Sequence, residues 1–238
     1  MSTRRPDERE YVHERLGERF EEALSPYDTA RRVETLVDEF LTDDMVRGKE
    51  ALDVGCGLGY FSRRLHERGA LVTATDLGPG LVEETRRRVG CRGEVADALR
   101  LVDHFGPGRF DVVVSSECVE HTPDPAEALR QMAGVLKPGG HLAISTPNLL
   151  WRPAVMLATR LGLRPFDGFE NFSTWRSLRA PLEESGVTVL REKGLHLFPF
   201  QFGAHALSRR CDTRLQPLRS LMINLCLLGR KRGPYVSS

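Results

Sequence analysis

The stretch Leu52-Asp53-Val54-Gly55-Cys56-Gly57-Leu58-Gly59 constrains this chain more than any other. Apolar residues run into three glycines at alternate positions, and a helical pattern starts near Tyr60. The segment reads as a buried strand ending in a tight turn, with a helix behind it. Glycine takes positive φ without steric cost and lets backbone approach a ligand closely. The helix start adds N–H groups that have no intrahelical partner. A dinucleotide loop of the GxGxxG type needs its third glycine at the sixth position, which here is Tyr60. The last glycine comes one residue early, and Asp53 sits inside the strand end. A buried carboxylate beside such a turn suits a cationic or hydroxyl-bearing ligand and repels a pyrophosphate.

The turn sits within a regular alternation. Strands are expected at Ala51–Val54, Leu71–Thr75, Gly93–Ala96, Phe110–Ser115 and His141–Ser145. Helices are expected between them, from Tyr60 to Arg68 and from about Pro79 to Val89. A further helix opens with Asp124 as N-cap, Pro125 as first residue and Glu127 bonding back, and runs to about Leu136. This spacing implies βαβ units and an α/β fold with a mostly parallel, Rossmann-like sheet. Val12, Leu16, Phe20 and Leu24 recur every four residues, as on an amphipathic helix, and a second helix is expected over Thr29–Phe40. The alternation lapses between Pro147 and Asn171, where Phe166, Phe169, Phe172 and Trp175 fall three apart, a pattern read as packing for a lid. A helix over Thr174–Glu184 and a strand over Val187–Lys193 restore it. His196, Phe198, Phe200 and Phe202 then alternate, and the apolar run Leu221–Leu228 reads as an edge strand. With 238 residues and no internal repeat, one domain is expected. It divides into a helical cap over 1–45, a ligand-binding core over 46–146, a lid over 147–173 and the rest of the sheet over 174–238.

Four candidate sites line up at the C-terminal ends of successive strands, where open α/β sheets bind ligands. They are the loop Asp53–Gly59, Asp76 with Leu77, Asp97 with Ala98, and the segment Ser115–His121. A carboxylate at Asp76 can accept both hydroxyls of a ribose, and one at Asp97 can accept from the exocyclic amine of an adenine. Taken with these residues, the chain resembles the class I S-adenosylmethionine-dependent methyltransferases from Lys49 to Ser145. Leu-Asp-Val-Gly-Cys-Gly-Leu-Gly matches the family's first motif, Phe-Asp-Val-Val-Val-Ser its fourth and Leu-Lys-Pro-Gly-Gly its sixth. Asp76 matches the ribose-binding acid and Asp97 the adenine-binding acid. The resemblance implies S-adenosylmethionine as cofactor, held by Asp53, Gly55, Cys56, Gly57, Gly59, Asp76, Leu77, Asp97, Ala98 and Ser115. It also implies a seven-stranded sheet with helices on both faces and an antiparallel last strand, which the run near Leu225 supplies.

Glu117-Cys118-Val119-Glu120-His121 is similar to a segment of the ubiquinone-biosynthesis O-methyltransferases. There, two acids and an adjacent histidine are associated with a divalent metal. If the segment forms a helical turn, Glu117, Glu120 and His121 project to one side and suit Mg²⁺, Mn²⁺ or Zn²⁺. The competing reading is plainer. Glu-His before an Asp-Pro-capped helix is common in this superfamily, and His121 then shapes the pocket or acts as a base. Three donors without a visible fourth are also an incomplete site.

The implied reaction is methyl transfer to a small molecule, with a hydroxyl of an aromatic or natural-product-like acceptor as the first reading. His121 is the first choice of base and Glu117 the second, acting directly or through a metal. Transfer to nitrogen or carbon, or a non-methylating cofactor-binding protein on the same scaffold, are the alternatives. Nucleic-acid amines are disfavoured, because Ser115-Ser116-Glu117-Cys118 stands where an Asn/Asp-Pro-Pro-Tyr/Phe signature belongs. A formal charge of +1 gives no reason to expect a nucleic acid or anionic membrane as partner. No apolar run approaches the roughly 20 residues of a membrane span. Five scattered cysteines without a CxxC pair, and no signal-like apolar core in the charged stretch from Met1 to Glu22, fit a cytoplasmic setting. Tyr11 and Tyr27 are read as packing residues, His196 as a structural histidine, and Arg209, Arg210, Arg214 and Arg219 as solvated surface. Oligomeric state is left open.

Overall fold

The computed structural model describes residues 25–160, 170–197 and 205–233. Tyr11 and the stripe from Val12 to Leu24 lie outside these, as do Phe166, Phe169, Phe198, Phe200 and Phe202. Among the described residues the chain opens with helix α1 (Pro26–Val33), which continues through a π-helical turn over Glu34–Glu39. Ser25 caps α1 and Pro26 sits at its first position, a favourable start because proline has no N–H to leave unpaired. The short α2 (Asp43–Val46) follows. Then come β1 (Glu50–Val54), α3 (Tyr60–Glu67), β2 (Leu71–Asp76), α4 (Pro79–Val89), β3 (Arg92–Val95), α5 (Leu101–Phe105) and β4 (Phe110–Ser116). Next are α6 (Pro125–Val135), β5 (Leu136–Pro147), α7 (Arg152–Arg160), α8 (Trp175–Glu184), β6 (Val187–Leu195), α9 (His205–Arg214) and β7 (Asn224–Lys231).

The seven strands form one sheet in the order β3-β2-β1-β4-β5-β7-β6. All pairs from β3 to β5 are parallel, whereas β7 runs antiparallel to both β5 and β6. The expected Rossmann-like sheet is therefore present, with one correction. The run around Leu225 is not an edge strand: β7 lies inside the sheet, and β6 is the edge. The burial pattern explains this, since Asn224 to Gly229 are all buried, as only an interior strand with both faces covered requires. Alternation in β4 shows the same layering. Val113 belongs to a core packed with α6 and α8, while Val112 and Val114 join a second core with Leu36, Val37 and Phe40.

One cap falls where the sequence placed it, and a second starts α8 one residue later than expected. Asp124 accepts from the Glu127 N–H at 2.9 Å, although the Glu127 carboxylate accepts from Gln131 Nε2 rather than bonding back. Thr174 and Ser177 form a reciprocal capping box at the start of α8. Among the described residues no helix is long and apolar enough to cross a membrane.

Candidate active site

The glycine loop is built by the strands beside it. Val54 pairs with Thr75 of β2 and with Ser115 of β4, so Gly55 leaves the sheet level with Asp76 and Ser116. Gly55 and Cys56 both donate N–H groups to the Thr75 carbonyl at 2.9 Å. Thr85 Oγ1 donates to the Gly57 carbonyl at 2.9 Å. Gly55 has φ 74° and Gly59, the N-cap of α3, has φ 81°. A Cβ on Gly55 would stand 2.6 Å from Cys118 Sγ, and one on Gly59 would stand 2.8 Å from Thr85 Cγ2. Both positions thus need glycine for conformation and for space.

Each acid of this half has a defined task. Asp76 accepts from Gly57 N–H at 3.0 Å through Oδ2 and from Gly78 N–H at 3.1 Å through Oδ1. Each oxygen keeps a lone pair for a ribose hydroxyl. Asp97 Oδ1 accepts from Leu99 N–H at 2.9 Å, which leaves Oδ2 for an amine. Asp53 is buried and accepts from Ser62 Oγ at 2.6 Å. Burial raises its carboxyl to about 6, with the Ser62 bonds opposing and the Asp76 charge adding to the rise. Cys56 and Ala98 are buried and Leu77 is half-buried. Ser115 is a different matter. Its buried hydroxyl donates to the Val54 carbonyl at 3.0 Å, so it ties β4 to β1 rather than facing a ligand.

The second half lies at the ends of β4, β5 and β7, under α1. Among the described residues two non-glycine positions have positive φ, Glu117 at 52° and His196 at 62°. For Glu117, the backbone and carboxylate are both held. Its N–H donates to the Ser145 carbonyl at 3.1 Å, and its Oε1 accepts from Ser145 Oγ and Asn224 Nδ2, both at 3.1 Å. Glu120 is buried, with Thr146 Oγ1 3.4 Å from its Oε2. Burial raises the Glu117 carboxyl, with Arg32 opposing. Burial and then the Glu117 charge raise Glu120 further. Arg32 enters from α1. It donates to Ser116 Oγ at 2.7 Å and to Asp28 Oδ2 at 3.0 Å. Asp28 in turn bonds His196 Nε2 at 2.9 Å. Burial works to raise the Asp28 carboxyl, but Arg32 and His196 outweigh it and hold it low.

The expected helical turn over Glu117–His121 does not form. Left-handed backbone at Glu117 breaks it, and only Val119–His121 make a 3₁₀ turn. His121 Nε2 stands 3.9 Å from Glu120 Oε1, while Glu117 is fastened to Ser145 and Asn224. Among the described residues no three His, Cys, Asp or Glu side chains are grouped to hold a metal ion. Glu117, Glu120 and His121 therefore do not fit the divalent metal in this arrangement. Tyr27 donates to the His205 carbonyl at 2.9 Å and stacks on the His205 ring, in keeping with a packing role. His196 is fully buried and structural, as expected. The sequence gives no role to Arg32, Ser116, Ser145 or Asn224. The one signal for them was the Asp28–Arg32 spacing of four on α1, which reads as an ordinary surface ion pair.

Comparison with known proteins agrees with this geometry. A family model described as "Methyltransferase domain" matches residues 52–144. The chain is 34% identical over 157 residues to a ubiquinone biosynthesis O-methyltransferase of Marinobacter nauticus, a match covering 62% of this chain and 66% of the relative, just under two thirds of its length. The protein of the same name from Vibrio campbellii is 31% identical over 179 residues, with 71% of this chain and 76% of the relative covered. Among solved structures, magnesium protoporphyrin IX methyltransferase from Synechocystis PCC 6803 with bound SAH superposes with a TM-score of 0.66, at 16% identity, covering 94% of this chain and 97% of that one. The sheet order, the glycine loop and the acids that follow it define a cofactor-dependent methyltransferase scaffold. The chain belongs to the class I S-adenosylmethionine-dependent methyltransferases, and S-adenosylmethionine is its cofactor.

Proposed function

We propose that this enzyme methylates a hydroxyl of an aromatic or natural-product-like small molecule, with Glu117 as base and His121 shaping the pocket. The observation that carries the reading is the partly buried acid at a strand end level with the glycine loop. Glu117 follows Ser116 directly, and Ser115 pairs with Val54, the residue before Gly55. A hydroxyl nucleophile needs such a group, because a phenol has a pKa of about 10 by analogy with tyrosine. A carboxylate whose proton affinity is raised by burial is better matched to that proton than one in water.

When bound, S-adenosylmethionine supplies an electrophilic methyl group on a positive sulfonium. Asp76 and Asp97 hold the ribose hydroxyls and the adenine amine, and the Gly55–Gly59 backbone receives the rest. Asp53, buried behind the loop, contributes negative charge toward the cationic end. Glu117 takes the acceptor's proton. In this reading the described parts of the two flanking segments, residues 25–45 and 147–160 with 170–173, serve as cover that keeps water out. The stem of the second segment is stapled beside the acids, because Asn171 N–H donates to the Glu120 carbonyl and Asn171 Nδ2 to the Thr122 carbonyl, both at 2.8 Å. The likeness to ubiquinone biosynthesis O-methyltransferases supports a hydroxyl on an aromatic ring.

The test has two parts. Calorimetric titration with S-adenosylmethionine and S-adenosylhomocysteine measures the cofactor site. Transfer of labelled methyl to matched panels of catechols, phenols and amines, read by mass spectrometry, measures the acceptor. Methylation confined to amines or to carbon, with no phenol product, removes the hydroxyl reading.

A further inference from the structure

We propose that Arg32 is a positioning residue that sets the side-chain geometry of Glu117 through the hydroxyls of Ser116 and Ser145. The inference rests on Glu117 being the base, but its structural content stands apart from the acceptor's identity. The argument is one of hydrogen-bond direction. A guanidinium only donates, and a serine hydroxyl has a single proton to give. Ser145 spends its proton on Glu117 Oε1 at 3.1 Å. In the 2.8 Å contact between the two hydroxyls, Ser116 is therefore the donor and Ser145 the acceptor. Ser116 has then used its own proton and accepts from Arg32 Nη1 at 2.7 Å. The wire runs one way, from Arg32 through two serines to Glu117. Reversing it would take the Ser145 proton away from Glu117 Oε1.

The wire is anchored at its far end. Arg32 Nε and Nη2 both lie 3.0 Å from Asp28 Oδ2, and Asp28 Oδ1 lies 2.9 Å from His196 Nε2. Its near end grips one oxygen only. Ser145 and Asn224 both donate to Oε1, and the Glu117 N–H is tied to the Ser145 carbonyl. Oε2 makes no hydrogen bond among the described residues, so it is the oxygen left for the acceptor's proton. A left-handed φ at a non-glycine residue is unfavourable unless its surroundings fix it, and these contacts do so.

The test compares Arg32→Gln, Arg32→Lys, Ser116→Ala, Glu117→Gln and the double variant Arg32→Gln/Glu117→Gln in the full chain. Methyl transfer to catechol gives kcat and KM, calorimetry gives S-adenosylhomocysteine affinity, and crystal structures of Arg32→Gln and Ser116→Ala show the Glu117 carboxylate. Arg32→Gln is expected to lower kcat about a hundredfold, in line with misplacement of a catalytic group by about an ångström. KM and S-adenosylhomocysteine affinity should stay within about twofold. Arg32→Lys should recover part of the loss, since it still donates but lacks the fork that spans Asp28 and Ser116. The double variant should lose no more than Glu117→Gln alone. In the crystals, Glu117 should leave Ser145. Losses that multiply in the double variant overturn the proposal. So does an unmoved Glu117 in the Arg32→Gln or Ser116→Ala crystal, and that readout holds even if catechol is not methylated. Should Arg32→Gln fail to fold, Ser116→Ala and the double variant Ser116→Ala/Glu117→Gln carry the same two criteria.

Discussion

The two halves of the site are made in opposite ways. The half proposed to hold the cofactor is drawn from residues 53–99, and its contacts run largely to backbone: Asp76 to Gly57 and Gly78, Asp97 to Leu99, Thr85 to Gly57. The acid half is drawn from α1, β4, β5, β7 and the end of β6, and its contacts join side chains far apart in sequence. Arg32 to Ser116 and Asn224 to Glu117 are examples. The glycine loop is fixed by neighbours close in sequence, Thr75, Asp76 and Thr85, which the first strand–helix–strand units bring to it. A proton acceptor needs burial, and burial of charge needs partners that only the finished fold brings.

The comparison breaks most visibly at Glu117. Glu117→Gln should lower kcat by about a hundred- to ten-thousandfold while S-adenosylhomocysteine affinity is kept, as for loss of a general base. Steady-state kinetics beside calorimetry checks both halves at once, and a fall in affinity would show that they are not separable. Gly55→Ala should do the reverse. Its Cβ meets Cys118 Sγ at 2.6 Å in a left-handed backbone, so a strain of about 3 kcal/mol should weaken cofactor binding about a hundredfold. Cys118→Ala should not rescue it, because the Cys118 Cβ itself would lie 2.7 Å from the added methyl.

Asp53 gives a smaller effect with a definite pH dependence. Its folded-state value of about 6 lies above the ordinary 3.8, so the folded protein binds the extra proton. This contribution to stability is present at low pH and is lost as pH rises from about 4 to about 6. Asp53→Asn removes the loss. It should gain on the parent by up to about 3 kcal/mol between pH 4 and pH 7, read as a difference in Tm, while binding the cofactor less tightly. Ser115→Ala should have the smallest effect. It costs about 1 kcal/mol of stability for the lost bond to Val54 and leaves S-adenosylhomocysteine affinity unchanged. A clear drop in affinity would return Ser115 to the cofactor site.

These contrasts also explain what the sequence could reveal. Strand positions, the turn and the acids at 76 and 97 were legible because period-2 burial, glycine spacing and strand-end position are local properties. Three things were not. The place of β7 depends on which strand it pairs with, and an all-apolar run reads alike at an edge or inside. The break at Glu117 comes from contacts with Ser145 and Asn224, and nothing in Glu-Cys-Val-Glu-His announces a left-handed residue. Ser115 and Ser116 are neighbours with opposite facings. Period-2 alternation separates them, but only the packed sheet shows that Ser116 meets Arg32 while Ser115 is sealed against β1.

The inward position of β7 carries a consequence for synthesis. On the ribosome β6 emerges first, yet it has no seat in the sheet until β7 slides between it and β5. Asn224, which grips Glu117, arrives with that same strand. The side proposed to accept the proton is therefore complete only when β7 is seated between β5 and β6, whereas the glycine loop and the acids at 76 and 97 need only the first strands.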